Sequence, residues 1–324
     1  MNAHTREELR MYQALPLSLK VSLTCDRIRA WVNEFGEDGV YVAFSGGKDS
    51  TVLLDLVREK CGYKRVRAMF VDVPTQWPEL KEFAKTFPDV DIVKPKISFV
   101  EVCKKYGFPL ISKEVSQRVN EARRGYQFAL AYFNGEKVGM LDKSKYRFLL
   151  DAPFEVSHKC CGEMKKKPAD QYSKETGRKP MTAQMASESL RRKTTWLRRG
   201  CNFYEGKHPK SNPMSFWLEN DVLEYIAKNN LKICSVYGDV IPKDYQMTFD
   251  IEGVTKYETT GCKRTGCMLC GFGCHLEKSP NRFEQLKATH PSMMKLFDNC
   301  TNNGVTFREA IEYCNERGGL NIKL

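Results

Sequence analysis

The sequence predicts an α/β fold: a doubly wound, mainly parallel sheet with a small cysteine-bearing C-terminal subdomain. Three observations lead there. An apolar run, Val40-Tyr41-Val42-Ala43-Phe44, passes into a glycine loop and then into a helical stripe. Short apolar runs and helical stretches alternate after it, as in a parallel sheet covered on both faces. From about residue 246 the texture changes to clustered glycines and cysteines. The expected organisation is a helical segment over 1–38, a main domain over 39–245 and a cysteine-rich subdomain over 246–324.

Residues 1–38 read as two helical stretches, with Leu17, Val21, Cys25, Ile28, Trp31, Val32 and Phe35 at helical spacing. The run from Val40 suits a buried strand. Residues 51–60 carry Val52, Leu53, Leu56 and Val57 as one apolar stripe. Strands are expected over 66–71, ending at Asp72, and near 91–93. Residues 98–106 suit a helix between Ser98 and Gly107, and 113–134 suit helix apart from Gly125. Residues 135–150 are polar and read as loop. A helix runs from Cys160-Cys161 to about 176, and a strand is expected over 181–186. Glu219-Asn220-Asp221 opens a helix to Asn229, with acidic groups at its positive end. Two short helices, near 282–289 and 306–317, close the chain.

The chain has 324 residues, 41% hydrophobic and 28% charged, which suits a globular protein with a sizeable core. Its first residues are polar, without an apolar h-region, and no run of about 18 apolar residues exists. Neither secretion nor a membrane span is expected; a cytoplasmic setting is. Thirteen cysteines in a reducing compartment suggest a metal or cluster site rather than a disulfide framework. Cys25, Cys61, Cys103, Cys201, Cys234, Cys300 and Cys314 are scattered and read as packing residues.

The formal charge is 52 − 40 = +12, and a basic surface attracts polyanions. Arg118, Arg123, Arg124, Lys165–Lys167, Arg191–Lys193, Arg198, Arg199, Lys207 and Lys210 crowd the middle of the chain. Tyr126, Trp196, Phe203 and Tyr204 lie among them, which suits backbone tracking plus base stacking. A pocket for one small polyanion, with the other charges solvated, is the alternative.

Ser45-Gly46-Gly47-Lys48-Asp49-Ser50 has the composition of a phosphate loop. Glycines let backbone N–H groups close on an anion. Lys48 adds a full charge, and the following helix aims its N-terminus at the same point. Ser45 and Ser50 can donate hydroxyl hydrogen bonds, and Asp49 can hold Mg²⁺ or a water. This is not a Walker A motif, because Val42 stands where that pattern requires glycine. The six residues after an apolar strand resemble the PP-loop of the adenine nucleotide α-hydrolase superfamily. That resemblance implies ATP split between its α and β phosphates, or adenylyl sulfate held in the same pocket.

A second signal is His158-Lys159-Cys160-Cys161-Gly162-Glu163-Met164-Lys165-Lys166-Lys167-Pro168, and a third is Cys262-x4-Cys267-x2-Cys270-x3-Cys274. Four thiolates suit zinc or an iron–sulfur cluster. Adjacent cysteines on a regular backbone point in different directions, so joint ligation needs a special local conformation. The pair with a distant Cys-x-x-Cys resembles the bacterial adenylyl-sulfate reductases of the PAPS reductase family. There such cysteines hold a [4Fe–4S] cluster, and the resemblance implies Cys160, Cys161, Cys267 and Cys270 as its ligands here. Zinc or a cluster on Cys262, Cys267, Cys270 and Cys274 is the competing arrangement. In the first arrangement Cys262 and Cys274 are spare, and a spare thiol beside a nucleotide pocket can carry sulfur or attack a substrate.

The stretch from Thr182 to Arg192 resembles the family's Gly-x-Arg-x-x-Glu/Gln-Ser-x-x-Arg segment. Glu188, Ser189 and Arg192 match it; Ala183 replaces the glycine, and Met185 replaces an arginine expected at the sulfate or phosphate end of the substrate. Pro213-Met214-Ser215-Phe216-Trp217, then Tyr237 and Gly238, resemble a later segment. Reductases of this family end in Glu-Cys-Gly-hydrophobic-His. This chain has only Cys274-His275-Leu276 as a faint echo. The resemblance implies phosphate binding by residues 45–50 and a ribose or adenine pocket shaped by Asp72. It places Lys48, Asp49, Glu188, Arg192 and Cys274 at the chemistry, with Ser189 beside them. The leading expectation is adenylylation of a nucleic acid, a tRNA base or the DNA backbone, for sulfur transfer from a sulfur donor. Two alternatives are a PAPS or adenylyl-sulfate reductase served by a thioredoxin-like reductant, and a nucleotide-binding redox sensor.

Overall fold

The computed structural model describes residues 4–135, 143–206, 208–243 and 255–324. Lys207, part of 135–150 and the expected 245/246 boundary lie outside the described residues. The helices in chain order are α1 (Arg6–Ala14), α2 (Leu17–Phe35), α3 (Lys48–Asp55), α4 (Pro78–Lys85), α5 (Phe99–Tyr106), α6 (Lys113–Arg123) and α7 (Gln127–Phe133). They continue with α8 (Lys167–Thr176), α9 (Leu190–Arg199), α10 (Glu219–Lys228), α11 (Arg282–Thr289), α12 (Lys295–Asn299) and α13 (Phe307–Gly318). The strands begin with β1 (Val40–Ala43), β2 (Arg67–Val71), β3 (Val90–Val93), β4 (Leu110–Ile111), β5 (Lys179–Met181) and β6 (Asn202–Phe203). After these come β7 (Lys210–Ser211), β8 (Val240–Pro242), β9 (Tyr257–Thr259), β10 (Gly271–Phe272), β11 (Thr301–Asn302) and β12 (Val305–Thr306).

Two compact units emerge, interleaved along the chain. One comprises Met1–Asp72, Trp77–Val93 and Ala169–Thr265; the other comprises Val73–Gln76, Lys94–Pro168 and Gly266–Leu324.

The first unit holds a six-stranded sheet in the order β3-β2-β1-β5-β7-β6. All its pairings are parallel except β6 with β7. This is the predicted mainly parallel α/β architecture. Tyr41 pairs with both Arg67 and Pro180, so β1 is central and its Val40 and Val42 are buried. The helix α2 buries Thr24, Cys25, Ile28, Trp31 and Val32, a stripe at helical spacing, and Gly36 at φ +78° ends it. Its Lys20 is buried against Asp221 of α10, with Nζ 2.6 Å from the carboxylate. Trp217 Nε1 donates to Thr24 Oγ at 2.8 Å, so both buried polar groups are satisfied.

The strand expected over 181–186 is shorter than predicted. It ends at Met181, and Ala186–Glu188 form a 3₁₀ turn instead. The Glu188 carboxylate folds back to accept the Met185 N–H at 2.9 Å, which closes a turn rather than a ladder. Helix α9, unexpected from sequence, starts where Ser189 Oγ accepts the Arg192 N–H. Ser144–Leu150, within the expected loop, is 3₁₀-helical.

The second unit packs aromatic rings around Phe307. Its ring stacks on Phe108 at 5.0 Å and on Phe297 at 5.2 Å, and Phe108 meets Phe154 edge-on. Strands β4 and β10 pair in parallel, Leu110 with Gly271 and Ile111 with Phe272. A Cβ on Gly271 would lie 2.5 Å from the Pro109 carbonyl oxygen, so only glycine permits this approach. No described helix is long and apolar enough to cross a membrane.

Candidate functional site

The glycine loop leaves the C-terminal end of the central strand and enters α3, the place where open α/β sheets bind ligands. Gly46 has φ +71°, and a Cβ there would sit 2.9 Å from the Leu80 carbonyl oxygen. Gly47 has ordinary dihedrals, but its Cβ would meet Tyr237 Oη at 3.1 Å and Ser45 Oγ at 3.2 Å. The loop braces itself. Ser50 Oγ donates to the Gly47 carbonyl at 2.9 Å and accepts the Ser45 N–H at 3.1 Å. Thr51 Oγ donates to the same carbonyl. Two serines and two glycines thus fix a tight turn that opens onto a helix N-terminus.

Lys48 is only 3% exposed, yet its ammonium lies 3.3 Å from Glu219 and 3.4 Å from Asp49. A buried ammonium requires such partners. Asp49 Oδ1 is itself buried and accepts no hydrogen bond. Arg192 reaches this group from α9: the negative charge of Asp49 acts on it, while burial and the charge of Arg264 lower its pKa. Its guanidinium is paired with Glu188, and Arg264 is 3.8 Å from Glu219. Tyr237 Oη is 2.8 Å from Thr265 Oγ, and burial pushes its pKa up to about 12.

The first unit therefore gathers residues 45–50, Glu188 and Arg192 around one loop. Ser189 is exposed and caps α9. Asp72 stands at the end of β2, one strand from the loop, with its carboxylate 2.7 Å from Lys81. Sequence reasoning gave no role to Glu219, Tyr237, Arg264 and Thr265. Glu219 was legible only as a helix start, and Arg264 and Thr265 only as spacer between cysteines.

The four proposed cluster cysteines fall in the second unit. Cys160 and Cys161 occupy the first helical turn before a π-turn at Gly162–Lys166 and α8. That wider turn departs from regular helix, and a helix N-terminus favours thiolate. Cys267 and Cys270 sit in a tight turn, with the Cys270 N–H donating to the Cys267 carbonyl just before β10. Burial pushes the Cys160 thiol up, and the charges of Cys267, Cys161 and Cys270 push it further. Cys270 is held up at about 11 by burial and by Cys267 and Cys161. Cys161 and Cys267 thus act on both Cys160 and Cys270.

Among the described residues, no three His, Cys, Asp or Glu side chains are arranged to hold a single metal ion. Cys262 belongs to the first unit, where its charged neighbour is Glu79. Cys274 is 1% exposed and burial holds its thiol up at about 12, the reverse of an activated nucleophile.

A glycine loop at the head of a parallel sheet, running into an α-helix, is the architecture of the PP-loop class of adenine nucleotide α-hydrolases. The phosphoadenosine phosphosulfate reductase domain family matches residues 39–271, and the chain belongs to that family. Among solved structures, phosphoadenylyl-sulfate (PAPS) reductase from Candida auris, as a phosphate complex, is 18% identical. It covers 72% of this chain and 91% of its own, with a TM-score of 0.39. FMN adenylyltransferase from Candida glabrata with ATP is 10% identical over 71% of this chain and 64% of its own, TM-score 0.40. NH3-dependent NAD synthetase from Campylobacter jejuni subsp. jejuni NCTC 11168, with nitrate, is 14% identical over 67% and 75%, TM-score 0.35. No curated protein sequence matches the chain.

Proposed function

We propose that this chain binds ATP at residues 45–50 and adenylylates a nucleic-acid oxygen, on a tRNA base or the DNA backbone, for replacement by sulfur. In the first step the acceptor oxygen attacks the α-phosphorus and pyrophosphate leaves. In the second, hydrosulfide displaces AMP, a far better leaving group than the original oxygen; where a donor persulfide does so, a second thiol of the donor cleaves the resulting disulfide and leaves the sulfur on the acceptor. The loop N–H groups and Lys48 hold the phosphates, and Arg192 meets the charge that develops at the α-phosphate. Asp72 at the end of β2 shapes the ribose or adenine side. Asp49, beside Lys48 in the loop, would hold Mg²⁺ through its carboxylate and so neutralise phosphate charge. A [4Fe–4S] cluster on Cys160, Cys161, Cys267 and Cys270 would supply iron able to hold sulfide.

One observation carries the preference over sulfite formation. Reduction of an adenylyl sulfate needs an attacking thiolate, and Cys274, the only echo of the family's tail motif, is buried with a raised pKa. The buried Met185 in place of an arginine supports the same choice. The test is pyrophosphate release from ATP with and without tRNA or DNA, run beside sulfite release from PAPS or adenylyl sulfate with thioredoxin. Nucleic-acid-stimulated pyrophosphate is expected. Sulfite release would refute the reading.

A further inference from the structure

The phosphate loop leaves one concentrated basic feature unexplained, in the second unit. A cavity of about 250 Å³ is lined by Lys105, Tyr106, Asn120, Arg124, Ser157 and Lys159, together with the Arg123–Glu155 pair. The backbone builds it. Gly107 has φ +91°, and a Cβ there would lie 2.1 Å from the Glu155 carbonyl oxygen. Glycine alone allows this approach, which Phe108 N–H to Glu155 O and Ser157 N–H to Phe108 O fix at 2.9 Å each. The end of α5 is thereby held against the segment entering Cys160.

Its charges are not equivalent. Arg123 is spent on structure: its guanidinium donates to the carbonyls of Leu149, Leu150, Ala152 and Phe154 and lies 3.5 Å from Glu155. Lys105 and Lys159 both stand over the Tyr106 ring, at 5.1 and 4.9 Å from its centroid. Both ammonium groups are thus within cation–π range of one ring. Arg124 is exposed at the end of α6. Among the described residues no carboxylate lies within 4.0 Å of Lys105, Arg124 or Lys159. The nearby Glu163 is already held by Lys167. Three uncompensated cations around a cavity with amide and hydroxyl donors bind a tetrahedral oxyanion.

We infer that this cavity seats a backbone phosphodiester of the nucleic-acid acceptor, and that it anchors the strand next to the Cys160-Cys161 turn. This rests on the nucleic-acid reading above. Lys159 is covalently next to Cys160, so a strand held there lies beside the proposed cluster ligands.

The test is fluorescence anisotropy of the full-length protein with labelled tRNA and with labelled single- and double-stranded DNA. Saturating ATP keeps the phosphate loop occupied, and salt is titrated from 50 to 200 mM. The variant carries Lys105→Gln, Arg124→Gln and Lys159→Gln. A charge-matched control carries Lys278→Gln, Lys295→Gln and Arg317→Gln, exposed residues of the same unit. Loss of the one phosphate seated in the cavity should lower the slope of log affinity against log salt by about 0.7 on single strands and about 0.9 on duplex. The control should leave the slope at the wild-type value, and ATP affinity should be retained in both. Equal slopes in variant and control, with tight wild-type binding, would overturn the cavity assignment and leave the nucleic-acid reading standing. No wild-type binding to any of the nucleic acids would overturn both. Binding of inorganic sulfate at this cavity, lost in the variant, with no nucleic-acid binding, would reassign it to a small oxyanion and refute the phosphodiester.

Discussion

Gly46 and Gly47 are adjacent, yet the structure predicts different penalties for giving each a side chain. Alanine at Gly46 must adopt φ +71°, which costs roughly 1–2 kcal/mol for an L-residue. Its Cβ also meets the Leu80 carbonyl oxygen at 2.9 Å, and relieving such overpacking adds about 1–2 kcal/mol. Alanine at Gly47 keeps ordinary dihedrals, and its nearest contacts, the Tyr237 and Ser45 hydroxyl oxygens at 3.1 and 3.2 Å, need give by only a few tenths of an ångström. It loses only the N-cap preference for glycine, about 1 kcal/mol. Gly46→Ala should therefore destabilise the first unit by about 2 kcal/mol more than Gly47→Ala, on the order of 1 M in urea midpoint. The readout is clean, because the four tryptophans, Trp31, Trp77, Trp196 and Trp217, all belong to the first unit. Both variants should lose ATP affinity, Gly47→Ala because its methyl occupies the space the phosphates need. If Gly46→Ala unfolds at the wild-type urea concentration, or Gly47→Ala proves the less stable, the left-handed Gly46 turn against Leu80 is refuted.

Three further outcomes follow from the same structure. Lys20→Met should cost about 3–5 kcal/mol in tryptophan-monitored unfolding, because it strands the Asp221 carboxylate without its buried partner; a cost under 1 kcal/mol would refute the pairing. Arg67 and the Tyr172 hydroxyl hold the Asp91 carboxyl below its ordinary value. A depressed folded pKa gives stability that is present above the unfolded value, about 3.9, and lost as pH falls through the folded one. Asp91→Asn should thus flatten the loss of stability below about pH 4, and an unchanged acid profile would count against it. Protein purified without oxygen should be brown with bound iron, and Cys160→Ser or Cys270→Ser should lose the colour; colourless protein with one zinc would overturn the cluster.

What the sequence disclosed depended on how local each signal was. The loop was legible because its chemistry lies in six consecutive residues, and β1 because Val40 and Val42 are buried in an unbroken apolar run. Helix α9 was missed because its face is mostly charged: only Trp196 and Leu197 of its ten residues are buried. The strand expected over 181–186 failed because the Glu188 side chain, three residues on, competes for the Met185 N–H. Glu219 and Arg264 could not be paired from sequence at all. Their meeting depends on how α10 and the chain before Thr265 return to the loop, and no periodicity records that.

That return changes how the loop's affinity should be understood. Lys48 is buried and Arg264 exposed, and Glu219 stands 3.3 Å from one and 3.8 Å from the other. Glu219 is 44% exposed, so it can leave for water at little cost, whereas Lys48 cannot. In the proposed phosphate site, an arriving polyphosphate would therefore exchange with a carboxylate already in place. The exchange favours ligands carrying more charge than one carboxylate over several adjacent oxygens. It also explains why the surroundings of the loop need not be uniformly basic. Glu219 and Asp49 together keep the buried ammonium satisfied. In the proposed nucleotide site, discrimination for a nucleotide over a single small anion would thus be set by the acidic residues as much as by the lysine.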